Sequence, residues 1–110
     1  MRKEEIIQMN KDIGESGTVI NTGNLEFIVA KLSESKDVIE GAALLLFYIV
    51  NLHPFLEGNK RTAYLAAKTF LVANGRSIKG DANTEELIYD VATNRFNAEQ
   101  VEAALKKLVK

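Results

Sequence analysis

The sequence predicts an all-α fold: a compact helical domain with a small flap or hairpin before its core. Three observations predict it. Apolar residues recur at helical spacing through most of the chain. Pairs such as Asp37 with Glu40 and Asn97 with Gln100 resemble capping boxes, in which an N-cap side chain and the residue three places on satisfy each other's free N–H groups. The length of 110 residues, without repeat, low-complexity tract or linker, gives one domain over residues 1–110.

Residues 3–11 read as a short, weak helix. Residues 12–23 carry three glycines and one β-prone patch, Thr18, Val19 and Ile20, and are expected to form a loop with a short hairpin. A second short helix spans residues 24–32 with Asn24 as its cap. The third is capped by Asp37 and runs to about Leu52; its apolar residues cover nearly all sides, as in a helix buried by neighbours all round. It stops near His53, because a proline disfavours helical geometry in the residue before it, and Pro54 is the chain's one proline. The fourth begins near Asn59, repeats Ala63, Ala66, Ala67, Phe70 and Leu71 on one face, and stops at Asn74-Gly75. Asn83 with Glu86 opens a fifth, to about Thr93. Asn97 with Gln100 opens a sixth, with Val101, Ala104, Leu105, Leu108 and Val109 as its stripe.

Composition narrows the function. Nearly half the residues (46%) are hydrophobic and 26% charged, an ordinary globular balance. A net charge of -1 gives no electrostatic reason to expect nucleic acid or an anionic membrane as partner. The absence of cysteine excludes disulfides, thiolate metal sites and thiol nucleophiles. No apolar core of signal-peptide length stands at the N-terminus. The longest apolar run, Ala42–Val50, is far short of the roughly 20 residues that span a bilayer. The expected location is the cytoplasm.

The chemistry concentrates between the third and fourth helices, in His53-Pro54-Phe55-Leu56-Glu57-Gly58-Asn59-Lys60-Arg61. Histidine is the side chain whose ordinary titration falls near neutrality, so His53 can serve as a general base. Glu57 offers an oxygen ligand suited to Mg2+, which takes one or two carboxylates together with phosphate oxygens. Gly58 lets the backbone approach a ligand closely. Asn59, Lys60 and Arg61 open a helix, where free N–H groups and the positive end of the dipole favour an anion. Phe55 is expected to point inward as an anchor. Taken singly, each has an ordinary reading: His53 as a structural histidine, Glu57 as a solvated carboxylate, Lys60 and Arg61 as a solvated helix start. Two cations at a helix N-terminus are unfavourable, however, unless an anion offsets them. Composition and spacing reach no further than an anion site.

This segment resembles the signature of the Fic/Doc family, H-P-F-x-D/E-G-N-G/K-R; eight of its nine places are specified, and all eight match. The resemblance extends over roughly residues 15–80, through Gly23-Asn24-Leu25 upstream and the run KRTAYLAAKTFLVANG from Lys60 to Gly75. It implies a catalytic His53 that deprotonates a hydroxyl on a target protein, with Arg61 neutralising phosphate charge. It further implies a nucleotide phosphate cradle of Gly58, Asn59, Lys60 and Arg61, Mg2+ held by Glu57, and ATP as co-substrate. A flap within residues 15–23, at Thr18, Val19 and Ile20, would align the target chain by strand-like pairing.

Two positions indicate the branch. AMP-transferring members of the family carry glycine where this chain has Lys60, and a second, γ-phosphate-holding arginine where it has Tyr64. NKRTA, Asn59–Ala63, resembles the Doc (death-on-curing) toxins, which bind ATP the other way round and transfer its γ-phosphate. A known target of that kind is a threonine of translation elongation factor Tu. Gly58 matches the AMP-transferring branch, so protein adenylylation stays as the alternative, beside a non-catalytic nucleotide-binding module. An inhibitory helix of the form S/T-x-x-x-E-G/N is approached only by Ser35–Gly41, one residue too long. A separate antitoxin protein is therefore the expected regulator.

Overall fold

A computed structural model describes residues 1–78, 82–93 and 95–110, with no side-chain description at 82, 83 and 85. Among the described residues six helices follow one another: α1 (Lys3–Asp12), α2 (Thr22–Ser33), α3 (Val38–Leu52), α4 (Asn59–Ala73), α5 (Ala82–Ala92) and α6 (Ala98–Leu108). The all-α expectation holds, and the reasons are local. Asp37 Oδ1 accepts the Glu40 N–H (2.8 Å) and starts α3. The Glu40 carboxylate turns to the Lys36 N–H (3.1 Å) rather than closing the box on Asp37. At α6 the box is complete: Asn97 Oδ1 accepts the Gln100 N–H (2.9 Å), and Gln100 Oε1 accepts the Asn97 N–H (2.8 Å). The box expected at Asn83 lies outside the described residues.

Two boundaries and one pairing differ from expectation. Helix α2 begins earlier and is capped by Asn21, whose Oδ1 accepts the Asn24 N–H at 2.9 Å. Asn24 instead sends its Nδ2 to the Leu52 carbonyl (2.7 Å), satisfying one of the free acceptors at the end of α3. Helix α6 stops at Leu108; Val109 is extended and pairs antiparallel with Ile78. The patch Thr18–Ile20 makes no hairpin with its own neighbours. Val19 pairs antiparallel with Phe55, inside the motif loop. The Ile20 N–H donates to the Pro54 carbonyl (2.9 Å) and the Leu56 N–H to the Thr18 carbonyl (3.0 Å). The segment expected to form the flap is thus built against the motif loop.

Helix α3 is the centre, touching α2, α4, α5 and α6, while α1 packs on α4 and α2. Gly41, Ala42, Ala43, Leu45, Leu46, Ile49 and Val50 are all buried, as the all-round apolar pattern predicts. Helix α4 returns antiparallel to α3, and the two close in at Gly41: a Cβ there would lie 2.6 Å from Phe70 Cε2. That pairing delivers both ends of the motif loop to one edge of the molecule. No helix among the described residues is long and apolar enough to cross a membrane.

Candidate active site

The motif turns between α3 and α4 in residues 53–58, and two conformations with positive φ shape it. His53 closes α3 at φ 45°, ψ 60°, and among the described residues it is the one non-glycine with positive φ. That left-handed geometry is strained for a residue with a Cβ, and it aims the chain abruptly out of the helix. Gly58 caps α4 at φ 74°, a conformation glycine adopts freely. Between them Phe55 is buried, 1% exposed, and anchors the loop as expected.

Asn59 holds the loop closed from within. Its Oδ1 accepts the Phe55 N–H (3.0 Å) and its Nδ2 donates to the Phe55 carbonyl (2.9 Å). These two bonds fix which end of the amide is nitrogen. The same Nδ2 lies 3.3 Å from His53 Nδ1, which places the imidazole beside the start of α4. With its side chain engaged inward, Asn59 leaves only its main-chain N–H for an anion. The first intrahelical bond of α4 is Thr62 N–H to the Gly58 carbonyl (2.8 Å), so the N–H groups of Asn59, Lys60 and Arg61 remain open at the positive end of the helix.

His53, Glu57, Lys60 and Arg61 are all exposed around this helix start. Glu57 and Lys60 have no ion pair among the described residues. Arg61 donates Nη2–H to the Ile13 carbonyl (2.8 Å), which ties the guanidinium to the end of α1; its other donors have no partner among the described residues. No three His, Asp or Glu side chains converge as a preformed metal cage among the described residues. Glu57 offers one exposed carboxylate beside the open N–H groups at the start of α4, a ligand of the kind Mg2+ takes together with phosphate oxygens.

Several neighbours fall outside the motif. Asn10 on α1 is buried and donates Nδ2–H to the Glu57 carbonyl (2.9 Å) and to Thr62 Oγ1 (3.0 Å). Its Oδ1 accepts the Gly17 N–H (2.9 Å). Its position in sequence gave one signal: it follows Ile6 and Met9 on the buried face of a helix, where an amide needs partners. Glu15 and Ile13 lie over Gly58; a Cβ at Gly58 would meet Glu15 Cγ at 2.7 Å and Ile13 Cδ1 at 3.0 Å. The close approach expected at Gly58 is thus taken up, on that side, within the chain. Beside Lys60 and Arg61 opens a cavity of about 300 Å³ lined otherwise by Ile13, Tyr64, Leu65 and Ile88.

Comparison with known proteins accords with this site. The model of the Fic/DOC family matches residues 3–71, so the chain belongs to the Fic/DOC family. The match includes α1, the flap, the motif and most of α4. Among individual proteins, the chain is similar to one named Toxin Doc from Mycolicibacterium smegmatis (strain ATCC 700084 / mc(2)155), with 39% identity over 67 residues. That match covers 58% of this chain and 52% of the relative, so the chain spans about half the length of the curated protein it matches.

Proposed function

We propose that the protein is a Doc-like toxin that transfers the γ-phosphate of ATP to a serine or threonine hydroxyl of a target protein. In this reading His53 takes the proton of the hydroxyl. The hydroxyl oxygen then bonds to the γ-phosphorus, and the bond from that phosphorus to the bridging oxygen of ADP breaks. Glu57 would hold Mg2+ together with the phosphates, and the ion would supply charge neutralisation. The N–H groups of Asn59, Lys60 and Arg61 and the side chains of Lys60 and Arg61 would bind the phosphates, because catalysis of this transfer is mostly positioning and charge neutralisation. The flap supports the target side of the reading. The H-bonded edge of Thr18–Ile20 faces the motif loop, while the N–H and carbonyl of Val19 have no partner among the described bonds and form an edge open to a strand-like chain.

The observation that carries phosphate transfer over AMP transfer is the surrounding of Tyr64. Where an AMP-transferring relative would hold the γ-phosphate on a second arginine, this chain has a phenol, in a cavity lined by Ile13, Leu65 and Ile88 and by Lys60 and Arg61. The charge that the second arginine would bring to that position is absent, and a phenol does not replace it as a partner for a terminal phosphate. The resemblance to a protein named Toxin Doc supports a toxin with an antitoxin as partner; a translation elongation factor as target rests on the resemblance of the motif to the Doc toxins alone.

The test uses ATP labelled at the α or the γ phosphate, with Mg2+, in a bacterial lysate freed of any antitoxin. Transfer of γ label alone, abolished in His53→Ala, is the expected result. Transfer of α label would make the protein an adenylyltransferase. No transfer of either, with wild type and His53→Ala alike, would leave a nucleotide-binding module.

A further inference from the structure

We propose that Asn10 is a positioning residue that couples the flap to the Glu57 turn. It stands on α1, outside the motif, and is 1% exposed. Three hydrogen bonds and two peptide links close a ring through it. Asn10 Oδ1 accepts the Gly17 N–H (2.9 Å); Gly17 is bonded to Thr18, whose carbonyl accepts the Leu56 N–H (3.0 Å); Leu56 is bonded to Glu57, whose carbonyl accepts Asn10 Nδ2–H (2.9 Å). The main-chain carbonyl of Asn10 also accepts the Glu15 N–H (3.1 Å), so both ends of segment 15–17 hang on this one residue.

The ring asks for an amide. It needs one acceptor and at least one donor on a short side chain, and asparagine supplies both. An aspartate at residue 10 would keep the acceptor for Gly17 but turn a lone pair toward the Glu57 carbonyl. An aliphatic side chain would strand buried groups on both the flap and the loop. The ring makes the flap edge and the backbone of Glu57 one mechanical unit. A chain that pairs with the open edge of Val19 therefore acts on the turn that carries Glu57. That last link rests on the function proposed above; the ring does not.

The experiment measures amide hydrogen exchange by NMR and the Mg2+ dependence of ATP binding by calorimetry. It compares wild type with Asn10→Ala, Asn10→Asp and Thr62→Val. The third variant removes one Asn10 partner and leaves the ring intact. In both Asn10 variants the Leu56 and Ile20 amides are expected to exchange roughly tenfold faster, while those of α3 keep their rates; about tenfold corresponds to one lost net hydrogen bond. The Mg2+ needed for half-maximal ATP binding is expected to rise several-fold in the same two variants, with Thr62→Val unchanged in both readouts. Unchanged protection of Leu56 and Ile20 in the Asn10 variants would overturn the coupling, as would an equal loss across α3 and α6 or the same response in Thr62→Val. If Asn10→Ala does not fold, the near-isosteric Asn10→Asp decides alone. If the wild type binds no ATP with Mg2+, the proposed function fails, and the exchange rates still decide the ring.

Discussion

At the scale of single residues, the candidate site falls where the backbone is under tension. His53 sits at φ 45° because the chain must leave α3 sharply, and a side chain other than glycine pays about 1–2 kcal/mol for that geometry. Replacing it by glycine or by alanine removes the imidazole in either case, but only glycine relieves the strain. His53→Gly should therefore be about 1 kcal/mol more stable than His53→Ala in urea unfolding, after allowance for glycine's extra freedom in the unfolded chain. Equal stability would show that the neighbouring structure absorbs the strain. Gly58 offers the converse case. Adding a methyl there meets both the positive φ and the Glu15 side chain, 2.7 Å from the new atom. Gly58→Ala should cost roughly 1–3 kcal/mol. Glu15→Ala in the same chain should return the steric part and leave the conformational part. A double-mutant cycle with no coupling between the two would deny the contact.

The helices divide by how local their causes are. Asp37 and the Asn97–Gln100 pair were legible as helix starts because a cap is chemistry within four residues, written in the sequence next to its effect. The start of α2 was misplaced for a related reason. Asn21 and Asn24 are both good caps, and the choice between them is made elsewhere, by the Leu52 carbonyl that claims the Asn24 amide. Asn21→Ala should thus lower stability by about 1 kcal/mol through loss of the cap. Asn24→Ala should fray the end of α3, seen as faster exchange near Leu52 rather than at the start of α2. If Asn21→Ala leaves thermal stability unchanged while Asn24→Ala frays α2, the assignment is reversed. The flap was legible as β-prone but not as to its partner, since Val19 pairs with residue 55 and not with a neighbour in the chain. The motif itself was readable from nine consecutive residues. Asn10, Ile13 and Glu15 were not, because only the packing of α1 on α4 brings them to it.

For the molecule as a whole, helices and site have different origins in the chain. The bonds that make the helices join residues a few places apart, whereas those that tie α1 to the motif reach across 47 residues from Asn10 to Glu57 and 52 from Asn10 to Thr62. Contacts of such separation bear the larger entropy of loop closure, and they are expected late in folding. In stopped-flow kinetics, Asn10→Ala should speed unfolding and leave refolding nearly unchanged, while Leu45→Ala in the central helix should slow refolding. The reverse pattern would place the site in the folding nucleus. The bond from Asn10 to Glu57 then has a consequence for synthesis. A chain emerging from the ribosome carries α1 and the flap long before their partners exist, and it cannot close the ring until residues 54–62 have followed. If the proposed activity holds, a growing chain would lack it until that second half of the ring had been made.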